Sequence, residues 1–155
     1  MRKIFVFMAI IYTLLTLPTY AQDSIATRFS LAIQKGNTLT AIQKDELKEK
    51  FQAVLARADA YAANSEYIVS VNIRITDTKV SEGTLRPFTT VEGELTLQTH
   101  NKKSGTVMNA TTVKLQDTYA EDGHTDPMTR LIRAINLRDS RYVRFIRNSR
   151  NRIQQ

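Results

Sequence analysis

The sequence predicts an α+β fold: a three-stranded antiparallel meander covered on one face by N-terminal and C-terminal helices, in the order ααβββαα. Three observations carry that expectation. Apolar residues recur every three to four positions up to about residue 63, then alternate strictly from Tyr67. The alternating segments are joined by turn-sized connections. Helical spacing returns after Asp126-Pro127. With 42% hydrophobic and 24% charged residues in 155, the composition is that of a globular chain.

The N-terminus is set apart from that fold. Met1-Arg2-Lys3 precedes an uncharged apolar run from Ile4 to Leu17, Pro18 interrupts it, and Thr19 and Ala21 place small residues at −3 and −1 of a cleavage point before Gln22. This is the order of a secretory signal peptide, and the run is shorter than the roughly 20 residues that cross a bilayer. Residues 1–21 are therefore expected to be a signal peptide cut after Ala21. Residues 22–155 then form a single α+β domain, soluble and exported to the bacterial periplasm or the cell exterior. The chain has no Cys, which excludes disulfides, thiolate metal sites, a cysteine nucleophile and a lipid-modified N-terminal Cys. A cysteine-free exported domain suits a bacterium better than a eukaryotic secretory route. Asn109-Ala110-Thr111 matches a glycosylation sequon, which means little in that setting.

Ile25, Phe29 and Ile33 lie four apart, so Asp23 to Lys35 reads as a short amphipathic helix stopped by Gly36. Thr40 and Gln43 form a capping-box pair for a second helix, about residues 41–63, with the stripe Leu47, Phe51, Val54, Leu55 and Ala58. Tyr67, Val69, Val71, Ile73 and Ile75 then alternate with polar residues as a half-buried strand. A strand edge of this kind can accept a partner strand, or be covered by a terminal helix, and coverage is expected. A second strand carries Val91, Leu95 and Leu97, with Gly93 where a bulge or close approach would fit. The turn from His100 to Gly105, with His100 exposed, leads to a third strand, Thr106 to Gln116. A polar loop, Asp117 to Thr125, precedes a helix with Met128, Leu131, Ile132 and Ile135 on its buried side; Asp126 is its N-cap and Pro127 its first residue. The last helix, Ser140 to about Arg152, buries Tyr142, Phe145, Ile146 and Ile153.

Charge is uneven. Gln22 to Pro127 holds 12 basic and 14 acidic residues, a net of −2, whereas Met128 onward holds eight Arg and one acid, Asp139, a net of +7. Arg138, Arg141, Arg144, Arg147 and Arg150 recur every three residues, a spacing that wraps around a helix as a band. Guanidinium suits phosphate and carboxylate through its fixed donor fork, so these five are the candidate anion- or partner-binding residues. The competing reading is a solvated helix face whose arginines pair with acids such as Glu92 and Glu94. A basic amphipathic helix can also lie on a membrane, with Tyr142 and Phe145 toward lipid, although both fit better as core.

Only one loop is dense in reactive groups: Glu121-Asp122-Gly123-His124-Thr125-Asp126. It could hold a metal or orient His124 as a base for a small hydrolase, but with a single His it reads more simply as a polar turn ending in an N-cap. No nucleophile elbow, phosphate loop, dinucleotide fingerprint or HExxH motif is present. No catalytic residue, metal ligand or cofactor is expected.

The run Val91-Glu92-Gly93-Glu94-Leu95-Thr96-Leu97, the turn Lys102-Lys103-Ser104-Gly105-Thr106-Val107, the Thr/Val strand after it and the helix Met128 to Ile135 together resemble a known segment. Small α/β envelope accessory domains contain it: the N-terminal domain of the Tol-system β-propeller protein, the curli-secretion lipoprotein and the penicillin-binding-protein activator lipoprotein. The resemblance spans residues 91–135, with Gly93 and Ser104-Gly105 as its specific features, and the chain departs from the lipoproteins in lacking a lipidated Cys. It implies non-enzymatic scaffolding or partner activation in the periplasm, and carries over no functional residues.

The expected function is therefore a non-enzymatic envelope accessory module that binds a protein partner. The alternatives are a binder of anionic polymer or lipid (lipopolysaccharide, phospholipid, DNA) through the last helix, and a small hydrolase or metal site at residues 121–126. Nucleic acid is not the expected partner.

Overall fold

A computed structural model of the chain describes residues 26–34, 38–82, 86–120 and 124–155. The signal-peptide expectation, residues 1–21, lies outside them. The element order is β1 (Ser30–Ile33), α1 (Ala41–Arg57), β2 (Tyr67–Ser81), β3 (Phe88–Asn101), β4 (Val107–Ala120), α2 (Pro127–Arg133) and α3 (Ser140–Ile153). The strands form one mixed sheet in the order β1-β2-β3-β4, with β1 parallel to β2 and the other two pairs antiparallel.

This corrects the three-stranded meander and the ααβββαα order. The segment expected as a first helix, Asp23 to Lys35, contains a strand, with Ser30 to Ile33 opposite Ile68 to Val71. Phe29, Leu31 and Ile33 satisfy a two-residue period as well as a four-residue one. What decides between them is the outer edge of β2, whose backbone groups need partners that a helix could not supply. The edge is thus covered along Ile68 to Val71 by a parallel strand rather than by a terminal helix.

Helix α1 begins at the expected capping box: Gln43 donates its N–H to Thr40 Oγ1 (3.2 Å), and Gln43 Oε1 accepts from the Thr40 N–H (2.9 Å). It ends earlier than residue 63. Asp59 adopts φ 46°, its N–H bonds to the Ala56 carbonyl (3.0 Å) and the Ala60 N–H to the Leu55 carbonyl (2.8 Å), the closure of a Schellman motif. The chain then returns past Phe29, which donates to Ala60 O (2.7 Å) and accepts from the Ala62 N–H (2.9 Å).

Strands β3 and β4 also run further than alternation alone indicates. Thr118, Tyr119 and Ala120, expected in a loop, pair with Thr90, Thr89 and Phe88. His100 lies within β3 rather than in the turn, half-buried, with Nδ1 3.3 Å from Ser70 Oγ. The turn itself is closed by Asn101, whose Oδ1 accepts from the Lys103 and Ser104 N–H groups (2.8 and 3.1 Å), with Gly105 at φ 70°.

All three helices cover the same face of the sheet. Val69, Val71, Ile73, Val91, Leu95, Leu97 and Val113 bury against Leu47, Phe51, Leu55, Leu131, Ile132, Tyr142, Phe145 and Ile146. Phe51 and Tyr142 meet edge to face at 5.4 Å. Gly93 is a close approach: a Cβ there would run into Leu131 Cδ2, so α2 sits directly on the β3 backbone. The opposite face is polar and carries ion pairs Arg74–Glu94 (2.7 Å), Lys79–Asp77 (2.9 Å) and Lys79–Glu92 (3.5 Å).

Candidate binding surface

Helix α3 starts at Asp139, whose carboxylate accepts the Arg141 N–H (2.9 Å). Its inner side is Tyr142, Phe145, Ile146 and Ser149. Ser149 is the polar exception, and it explains how α3 is registered on the sheet. Its hydroxyl meets Thr99 Oγ1 (2.9 Å), donates to Phe145 O (2.9 Å) and accepts from Asn109 Nδ2 (3.1 Å), which also reaches Phe145 O (3.2 Å). These buried polar groups are satisfied among themselves and fix α3 across β3 and β4. The sequon residue Asn109 is thus 8% exposed, with its amide nitrogen engaged.

The five arginines fall into three groups. Arg150 is an anchor: Nε donates to Thr27 O (2.9 Å) and Nη2 to Asp59 O (2.6 Å), tying α3 to the segment before β1 and to the turn after α1. Arg141 is paired with Asp139 through Nε and Nη2. That hydrogen bond holds the Asp139 carboxyl below the usual carboxylate range and raises Arg141. Arg138, Arg144 and Arg147 are exposed, and no hydrogen bond or ion pair engages their guanidinium groups among the described residues. Arg144 and Arg147 are one helical turn apart, and Val143, 59% exposed, stands beside them.

Arg152, outside the predicted set, donates Nη1 to the Met108 carbonyl (3.1 Å). Glu92 and Glu94 pair with Lys79 and Arg74 on the open sheet face and neutralise none of these arginines. Tyr142 and Phe145 are 1% and 3% exposed, so the apolar side of α3 is spent on the core.

Three recesses among the described residues bear on this surface and the elements around it. One of 230 Å³ lies between α3 and β4 and is lined by Arg141, Arg144, Phe145 and Asn148 with Asn109, Ala110 and Thr111. One of 290 Å³ is lined by Glu92, Glu94, Lys114 and Gln116 among others. The third, of 550 Å³, lies by the starts of α1 and α2, with Ile42, Ile75, Met128 and Arg133.

Of the loop weighed for chemistry, His124, Thr125 and Asp126 are among the described residues. Glu121, Asp122 and Gly123 lie outside the described residues. Asp126 caps α2, accepting the Thr129 N–H (2.8 Å) and Gln43 Nε2 (2.6 Å), so the cap of α2 is joined to the cap of α1. Among the described residues no three His, Cys, Asp or Glu side chains converge as metal ligands, and no helix is long and apolar enough to cross a membrane.

No protein-family model matches the chain, and no curated protein matches it in sequence. Solved structures do match its fold. A minor lipoprotein from Acinetobacter baumannii aligns with a TM-score of 0.52 at 15% identity, covering 83% of this chain and 96% of that one. That is similarity of fold alone. A candidate lipoprotein from Caulobacter crescentus (TM-score 0.44, 13% identity, 81% and 84% covered) and a Xanthomonas campestris protein of family DUF330 (0.42, 16%, 84% and 81%) align less closely. The chain thus shares its fold with a bacterial lipoprotein. None of the three is named as a Tol, curli-secretion or penicillin-binding-protein accessory protein.

Proposed function

We propose that the chain is an exported, non-enzymatic accessory module of the bacterial cell envelope that binds an acidic protein partner through the outer side of α3. The observation that carries this is the division of labour among the arginines. Arg141 and Arg150 have intramolecular partners, whereas Arg138, Arg144 and Arg147 are exposed with no charge partner among the described residues. Arginine is favoured at protein interfaces because its planar fork binds carboxylates bidentately. The signal-peptide pattern at residues 1–21 supports export, and the fold shared with a bacterial lipoprotein is consistent with an envelope setting.

Binding to anionic lipid or polymer through the same arginines is the second reading. It is weakened by the burial of Tyr142 and Phe145, which leaves α3 little apolar surface to insert into a bilayer. One experiment separates the two. The purified protein and an Arg144→Glu/Arg147→Glu variant are titrated with polyglutamate, anionic phospholipid vesicles, lipopolysaccharide and DNA at low and physiological salt. Binding to polyglutamate that the charge reversal abolishes supports the proposal. Preference for vesicles, lipopolysaccharide or DNA moves the reading to lipid or polymer, with a steep loss as salt rises. Equal behaviour of the two proteins on every probe rejects α3 as the surface.

A further inference from the structure

We propose that the outer edge of β4 is the docking line for an extended acidic segment, which adds to the sheet as a fifth strand alongside α3. This rests on the reading above, that the arginines of α3 meet an acidic protein.

The backbone bonds show which groups are free. The Gln34 N–H donates to Val71 O (2.9 Å), so Val71 turns its N–H and C=O toward β1. Its β3 neighbour Leu97 therefore turns toward β4, where it faces Thr111. With Thr111 directed inward, alternation along the strand points the N–H and C=O of Ala110, Thr112 and Lys114 away from the sheet. No strand lies beyond β4 among the described residues. At the near end, Arg152 occupies the Met108 carbonyl beside the register shift, so the free line begins at Ala110.

Charge selects the occupant. Side chains of an added strand would alternate between the recess under α3 and the open sheet face. Arg144 and Asn148 line the recess. Lys114 stands on the open face in register with Glu94, yet forms no ion pair among the described residues. Both rows of the incoming strand therefore meet an uncompensated cation, which favours carboxylates in both. A second copy of this chain is disfavoured, because antiparallel β4–β4 pairing would bring Lys114 and Arg144 of both copies toward one seam, and facing like charges are destabilising.

The test uses a short fluorescein-labelled peptide of Glu-Glu-Val-Val repeats, which places Glu in both rows of an extended strand, measured by anisotropy against the purified protein. Thr112→Pro removes one outward N–H without touching the ladder to β3, a position where an edge strand tolerates proline. It should weaken binding about tenfold or more, as should methylation of alternate peptide nitrogens, which removes the bonds from the ligand side and leaves the protein native. Arg144→Glu should weaken it as well, and bound peptide should slow amide exchange at Ala110, Thr112 and Lys114. If Arg144→Glu abolishes binding while Thr112→Pro and N-methylation change nothing, the edge proposal falls and the α3 reading stands. If the peptide does not bind the native protein at all, both fall. A concentration-dependent dimer abolished by Thr112→Pro would assign the edge to a second copy and overturn the proposal. Should Thr112→Pro fail to fold, the N-methylated peptide decides alone.

Discussion

Replacing Gly93 by Ala interrogates the contact that seats α2 on the sheet. A Cβ at this position would run into Leu131 Cδ2 and lie 2.6 Å from the Arg74 carbonyl oxygen. The two conflicts differ in kind. Leu131 can change rotamer, although it is fully buried and its movement disturbs the packing around Ile132. The Arg74 carbonyl belongs to the β2 backbone beside Ile75, the residue paired with Gly93, and cannot move without opening the ladder. Overpacking of this kind costs about 1–3 kcal/mol, and the rigid partner places Gly93→Ala in the upper part of that range. Restricting the unfolded chain returns about 0.4–1 kcal/mol, leaving a net loss of about 2 kcal/mol. For a domain of this length each kcal/mol moves Tm by about 4 °C, so thermal unfolding followed by circular dichroism should show a fall of about 8 °C. Leu131→Ala alone should cost about 2–5 kcal/mol through the cavity it opens. Combined with Gly93→Ala it should cost less than the sum, because one of the two conflicts disappears. An unchanged Tm for Gly93→Ala, or strict additivity in the double variant, would refute the close-approach argument.

Three further outcomes follow from other parts of the structure. Asp59→Gly should raise stability by about 1 kcal/mol in urea unfolding, since Asp59 sits at φ 46°, where a side chain is strained, and the carbonyl that Arg150 uses is kept. Arg150→Ala should lose about 1.5–3 kcal/mol with its bonds to Thr27 and Asp59, whereas Arg144→Ala should stay within about 0.5 kcal/mol of the native protein. Equal effects would contradict the separation of anchoring from exposed arginines. Burial pushes the Tyr142 phenol up to about 12, against about 10 in an unfolded chain. The folded state therefore favours the protonated form; the stability this supplies is present below pH about 10 and lost as pH rises toward 12, in total roughly 2–3 kcal/mol. Tyr142→Phe should flatten that alkaline decline, and an identical pH profile for the two proteins would argue against it.

Much of the local structure can be read from the chain. Thr40 with Gln43 and Asp126 with Pro127 mark two helix starts through side-chain caps that act within three residues, and the Leu47, Phe51, Val54, Leu55 stripe identifies the buried side of α1. Gly93 is recognisable as a place where something must come close, but that Leu131 is what comes close depends on how α2 folds back. The turn at Asp59 is invisible, because an aspartate in the left-handed region carries no signal that distinguishes it from any other polar helix residue.

The arginine repeat shows the same division. Its spacing along α3 is a property of the sequence alone. Whether a given guanidinium anchors the fold or faces solvent depends on carbonyls far away in the chain, those of Thr27 and Asp59 for Arg150 and of Met108 for Arg152. Periodicity and capping are short-range, so the sequence by itself determined where α1, α2 and α3 start, which of their faces are apolar, and the asymmetry of charge. Satisfying backbone groups along a strand edge is long-range, so only the tertiary structure could choose between helix and strand for Phe29 to Ile33, extend β4 to Ala120 opposite Phe88, and set β4, at the end of the sheet among the described residues, beside α3.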